Sequence, residues 1–248
     1  MPIPTLDDRL RPRSRPPGPP AMYQSWRELL FVHWRVEPKR IQRTLPPGLQ
    51  VDMFDGAAYV GVVPFYMHNI RPRGFPAIPW VSFFLELNVR TYVHDERGRA
   101  GVWFYSLDCN QPIAVWAART FFHLPYRHAR MTATSRDEAI DYRSQVNSSR
   151  RTCELSYSVA ADGRPTEPGT FEFFLVERYL LFAADKRSRL FTGQVHHAPY
   201  EVAPATLPKW SSNLLAEHDF GVDESRPDHV CGAKGVDVDV FGLVRSAT

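Results

Sequence analysis

Residues 81–93 read V-S-F-F-L-E-L-N-V-R-T-Y-V. The run alternates with the two-residue period of a β-strand. Phe83, Leu85, Leu87, Val89, Thr91 and Val93 fall on one face; Phe84, Glu86, Asn88, Arg90 and Tyr92 fall on the other. Residues 94–101, H-D-E-R-G-R-A-G, hold two glycines and no large apolar side chain, and residues 102–108, V-W-F-Y-S-L-D, form a second strand. The two strands therefore make a hairpin. Residues 112–123, P-I-A-V-W-A-A-R-T-F-F-H, then read as a helix, with Asn110 as its N-cap and Pro112 in its first turn. The bend L-P-Y-R-H-A-R follows at 124–130.

Outward from this stretch, the chain is a series of short strands. L-L-F-V-H-W-R-V (29–36) is one, placing Arg27, His33 and Arg35 on a common face. A short helix starts near Pro38, and strands at 49–53 and 57–67 flank a D-G turn. Residues 70–80 form a proline-paced loop. Further strands are expected at 152–160, 180–183, 190–197 and 235–244, with a short helix at 170–179 and irregular structure at 203–215. Many short strands and few helices argue for a mainly β (α+β) fold, an antiparallel barrel or sandwich with helices packed outside.

Composition narrows the class. The 248 residues are 44% hydrophobic and 13% aromatic, enough for one substantial core. Seven of the 22 prolines lie in residues 1–20, where P-R-S-R-P-P-G-P-P has no apolar period, so that segment is expected to be a disordered tail preceding a single domain at 21–248. The tail carries most of the formal charge of +3, leaving the remainder near neutral and giving nucleic-acid binding no support. Three widely spaced cysteines suit a reducing, cytoplasmic setting. No apolar run reaches the ~20 residues a membrane helix needs. The histidines lack metal-ligand spacing, so no metal and no cofactor is expected. A homo-oligomer is compatible with the sequence.

The polar face Glu86, Asn88, Arg90 has two readings: a solvated sheet face, or the polar lining of a barrel interior. Arg27, His33 and Arg35 either grip an anion or lie at the surface. No nucleophile elbow, P-loop, zincin or dinucleotide motif occurs.

The strings F-V-H-W-R-V, A-Y-V-G-V-V-P-F, E-L-N-V-R-T-Y-V, G-V-W-F-Y-S-L-D, L-P-Y-R-H-A, F-L-V-E-R-Y, H-H-A-P and G-V-D-V resemble, in order, the YqjF-like family of uncharacterised bacterial proteins. The resemblance runs from about Trp26 to Val244. That family is similar to the acetoacetate-decarboxylase-like superfamily, which implies a closed antiparallel β-barrel with an internal ligand cavity. Those decarboxylases use a Schiff-base lysine whose pKa a second lysine lowers. The matching place here is Pro125-Tyr126-Arg127, which holds no lysine. Their glutamate matches Glu86, seven residues before Val93, and their arginine matches Arg27. The resemblance thus implies a pocket for a small anionic or carbonyl-bearing molecule. Glu86, Tyr126 and Arg127 are its candidate catalytic residues, and Arg27, His33 and Arg90 its candidate substrate-binding residues. Two functions stay open: a lyase, hydratase or isomerase that uses no imine, and a non-enzymatic binding or sensing protein.

Overall fold

The computed structural model describes residues 1–246. Fourteen strands join in one sheet. They are β1 (Met22–Val36), β2 (Leu49–Val51), β3 (Ala58–Pro72), β4 (Phe84–Asp95), β5 (Ala100–Cys109), β6 (Tyr126–Arg136), β7 (Ala139–Val146), β8 (Thr152–Val159), β9 (Arg164–Pro165), β10 (Leu180–Ala184), β11 (Leu190–His196), β12 (Glu201–Ser212), β13 (His229–Val240) and β14 (Val244–Arg245). The helices are α1 (Leu6–Leu10), α2 (Pro38–Gln42), α3 (Pro112–Phe121) and α4 (Phe171–Val176).

The pairing order β5-β6-β7-β8-β12-β13-β1-β3-β4 returns to β5 and closes a barrel. The closed barrel with few helices is the architecture that the family resemblance implies. Two pairings, β5 with β6 and β5 with β10, run parallel within the otherwise antiparallel sheet. Strands β10 and β11 also bridge β5 to β13, closing a second ring through β1, β3 and β4.

The shared wall explains the core. Along β4 every residue from Phe84 to Asp95 is buried. Leu85, Leu87 and Val89 pack with Val32, Trp34, Tyr142 and Leu155 in one core. Phe84 and Tyr92 pack with Phe31, Phe65 and Phe174 in another. A strand covered on both faces satisfies its backbone in the sheet and spends both rows of side chains on packing. Glu86, Asn88 and Arg90 are therefore interior, and the solvated-face reading is excluded.

Several local expectations change. Asn110 does not cap α3: its Oδ1 accepts from Leu85 N at 2.8 Å, and Gln111 is the cap, accepting from Ile113 N at 3.2 Å. Residues 203–212, most of the stretch expected to be irregular, belong to β12 despite Pro204 and Pro208. Its pairing with β8 skips register between Thr206 and Lys209, a bulge that takes up Pro208.

The N-terminal segment is the largest departure. Residues 1–20, expected to be disordered, lie against the barrel. Thr5 and Asp8 form a capping box that starts α1. Arg9 then grips the buried Asp52 with both terminal nitrogens, Nη2 at 2.7 Å from Oδ1. Gln194 Nε2 donates to Pro12 O at 2.8 Å, and Arg15 pairs with Asp239 at 3.1 Å. Long-range partners order a segment whose own composition predicts none. Among the described residues, no helix is long and apolar enough to cross a membrane.

Candidate active site

A cavity of about 190 Å³ lies inside the ring that contains β10 and β11, walled by β1, β3, β4 and β5 and covered by α3. Its surface is mostly apolar: Trp26, Phe65, Phe84, Phe104 and Leu107 contribute from the strands, and Ala114, Ala118 and Phe122 from the helix and its end. The size suits one small ligand, since an engineered void on the order of 150 Å³ takes a benzene ring. A bulge in β5 shapes the wall. Val89 pairs with Ser106 but Arg90 with Phe104, leaving Tyr105 unopposed. Phe104 and Leu107 thereby come to the same side although three residues apart.

Glu86 sits in this cavity with 3% of its surface exposed. Tyr126 arrives beside it because β6 runs parallel to β5, with Tyr126 level with Leu107 and so with Asn88 of β4. The Tyr126 hydroxyl donates to Glu86 Oε2 at 2.6 Å. Burial pushes the Glu86 carboxyl up to about 7; the bonds from Tyr126 and Asn88 pull against this, and the charge of Asp108 adds to it. No arginine enters that balance, so desolvation decides it. The same burial, with the neighbouring carboxylate, holds the Tyr126 phenol well above its ordinary range, and Tyr126 remains a proton donor.

Two arginines share the cavity wall. Arg90 is 8% exposed and forms no ion pair with any described residue. Its Nη2 donates to Leu175 O at 3.1 Å, its guanidinium lies over the rings of Phe31 and Tyr92, and its Nε has no partner. Arg178, which leads from α4 into β10, donates from Nε to Phe174 O and from Nη1 to Asp52 at 2.8 Å; its Nη2 has no partner. Burial lowers the Arg178 pKa and Asp52 raises it again. Asp52 is also bound by Arg9, so the cluster Arg9–Asp52–Arg178 holds two cations and one anion. A buried cation without a counter-charge is costly, and an anionic ligand would remove that cost.

Of the six candidate residues, Glu86, Tyr126 and Arg90 meet in the cavity. The other three do not. Arg127 alternates to the opposite side of β6 from Tyr126, where its Nε donates to Asp108 at 2.7 Å. Arg27 faces outward, its Nη1 bonded to Val236 O at 2.7 Å and its Nη2 paired with Asp237. Glu28 has φ +52° and the β1–β3 register slips after Arg27, so Trp26 turns inward and Arg27 outward. His33 is buried away from the cavity, its Nε2 2.8 Å from the Tyr92 hydroxyl and its Nδ1 3.3 Å from His229. The residue that sequence reasoning passed over is Arg178. Its signal was present: in F-E-F-F-L-V-E-R-Y-L-L-F (171–182) an arginine interrupts an apolar run, a pattern that marks a buried charge.

No group of three metal-ligating side chains occurs among the described residues. All four lysines, Lys39, Lys186, Lys209 and Lys234, are exposed, so no amine lines the cavity. Cys109 is buried and its thiol pKa is pushed up by burial, so it is no thiolate nucleophile.

Comparison with known proteins places this geometry. Residues 23–237 match the DUF2071 family, described as an uncharacterised conserved protein. The chain is 34% identical over 215 residues to the uncharacterised protein YqjF of Bacillus subtilis (strain 168), covering 86% of this chain and 88% of that one. Among solved structures, the enduracididine biosynthesis enzyme MppR complexed with pyruvate is similar with a TM-score of 0.64 at 18% identity, over 92% of this chain and 91% of that one. The acetoacetate decarboxylase of Legionella pneumophila is similar with a TM-score of 0.63 at 13% identity, over 94% and 88%. The barrel is thus of the acetoacetate-decarboxylase-like kind, and the chain belongs to the DUF2071 family of uncharacterised conserved proteins.

Proposed function

We propose that the cavity binds a small carboxylate- or carbonyl-bearing molecule and that Glu86, assisted by Tyr126, moves a proton on it without forming an imine. One observation carries this reading: a carboxyl group poised near neutrality shares an apolar cavity with the unpaired cation of Arg90. A group titrating near the working pH is effective both as acid and as base. As carboxylate, Glu86 would take a proton from the carbon beside a carbonyl. The released electron pair would move onto the carbonyl oxygen, and Arg90 or Arg178 would balance the charge of the resulting enolate. Returning the proton to a different carbon gives an isomerase; loss of a β-substituent gives a lyase, and the reverse a hydratase. A related barrel solved with pyruvate supports an oxo-acid as the ligand class.

The exposed positions of all four lysines favour a second reading, binding without chemistry, because the superfamily's nucleophile is missing and nothing in the cavity replaces it. One experiment separates the two. Small oxo-, hydroxy- and unsaturated carboxylates are screened by thermal shift, and the binders are incubated in deuterated buffer with the protein and with Glu86→Gln. Deuterium uptake or conversion by the native protein alone supports proton transfer. Binding with no exchange supports the sensor, and no carboxylate binding at all refutes both.

A further inference from the structure

On the far side of β6 from the cavity lies an open groove of about 520 Å³. Three arginines line it from three elements: Arg119 from the last turn of α3, Arg127 from β6 and Arg151 from the loop that enters β8. Ser148 and Ser149 of the same loop complete the rim. Arg119 has no acidic partner among the described residues; its Nε donates to Tyr126 O at 2.6 Å. Arg127 is bonded through Nε to the buried Asp108, and its Nη2 has no partner. Arg151 is 8% exposed, its Nε has no partner, and it pairs with Glu217, which is half-exposed at the groove edge. The remaining titratable neighbours are His218 and Tyr105, whose rings lie 4.6 Å apart. The chain has no acidic residue from Asn110 to Arg136, so two walls of the groove carry cations only.

We propose that this groove is a second binding site, for the phosphate group of a phosphorylated small molecule. Several guanidinium groups with two hydroxyls form a multi-donor set that suits a tetrahedral dianion better than a planar carboxylate. The dianion would sit against the partly exposed guanidinium groups of Arg127 and Arg151, whose unpartnered N–H groups are buried behind them, and compete with Glu217, whose carboxylate loses little on returning to water. The site is distinct from the cavity: Tyr126 divides them, with its side chain on Glu86 and its carbonyl on Arg119. The proposal stands whether or not the cavity performs chemistry.

The test is titration of the full chain with inorganic phosphate in a low-salt chloride buffer, followed by calorimetry and phosphorus NMR. One saturable site in the millimolar range or tighter is expected. Ser148→Asp should weaken it by roughly tenfold or more, since it puts a like charge in the anion's place, and Arg151→Gln should do the same. Arg143→Gln, on the exposed face of β7, should leave the affinity unchanged. Ser148 is exposed, so Ser148→Asp keeps its melting temperature and carries the test if Arg151→Gln does not fold. Failure of phosphate to saturate, or equal affinity in Ser148→Asp, overturns the proposal.

Discussion

The Tyr126 hydroxyl donates to Glu86 Oε2 at 2.6 Å across two strand neighbours, inside a wall buried on both faces. The bond favours the ionised carboxylate, yet burial outweighs it and the group titrates near neutrality.

That balance makes stability depend on pH. The folded-state pKa of Glu86 is raised from 4.5 to about 7, so the folded protein binds the extra proton between those values. The stabilisation is fully present below pH 4.5 and is lost as the pH rises through 7. Glu86→Gln cannot titrate and should gain on the native protein across this window by on the order of 3 kcal/mol. Melting temperatures of both proteins from pH 5 to 8.5 check this. Parallel curves would show that Glu86 is not held protonated. His33 and His197, both buried with lowered pKa, destabilise on the acid side in both proteins and cancel in the difference.

Arg90 should matter for ligand and not for fold. Arg90→Met keeps the length and removes an uncompensated buried charge, so the melting temperature should hold or rise. Affinity for any carboxylate that occupies the cavity should fall by roughly a hundredfold, the scale of one buried charged hydrogen-bond pair. Calorimetry on the two proteins decides; equal affinity removes Arg90 from the site.

Borohydride reduction with acetoacetate or pyruvate should leave no stoichiometric adduct, because Lys39, Lys186, Lys209 and Lys234 are all exposed and none lines the cavity. Intact-mass spectrometry reads the outcome. A single modified lysine at one equivalent would mean that an amine enters the cavity after all.

Removing residues 1–20 should destabilise the protein. The deletion strips Arg9 from Asp52 and uncovers Gln194 and Asp239. A loss of about 1–2 kcal/mol corresponds to roughly 2–8 °C in Tm for a chain of this size. Arg9→Gln alone should reproduce part of the loss and also weaken anion binding, since Arg9 supplies the excess positive charge of its cluster with Arg178. An unchanged Tm on deletion would show that the segment is not seated on the barrel.

The sequence made β4 legible and its surroundings less so. Alternation in residues 81–93 records which side chains share a face, not what covers that face, and both faces of β4 turned out to be covered. Glu86 and Tyr126 were reached through the family resemblance, which matched them by position. Arg27 was found the same way and points outward, because the positive φ at Glu28 reverses the alternation, and no residue type announces that. Strand β12 was hidden by Pro204 and Pro208, which local rules read as breakers; a bulge accommodates Pro208, and Pro204 stays in register opposite Cys231. The N-terminal segment was misread because its order comes from Asp52, Gln194 and Asp239, all distant in the chain.

The doubly buried β4 has a consequence for how this barrel can change. One row of its side chains belongs to a core of valines, leucines and tyrosines with no part in the cavity, and the other row carries Glu86 and Arg90. The strand is a partition: what stands on its reactive side can be rewritten while the far side keeps the register and closure of the ring. Tyr126, two strands away on β6, meets Glu86 on the cavity side, and the far core, where Leu85, Leu87 and Val89 pack, takes no part in that contact. In a scaffold divided in this way, substitutions in the cavity row need not disturb the row that holds the ring closed.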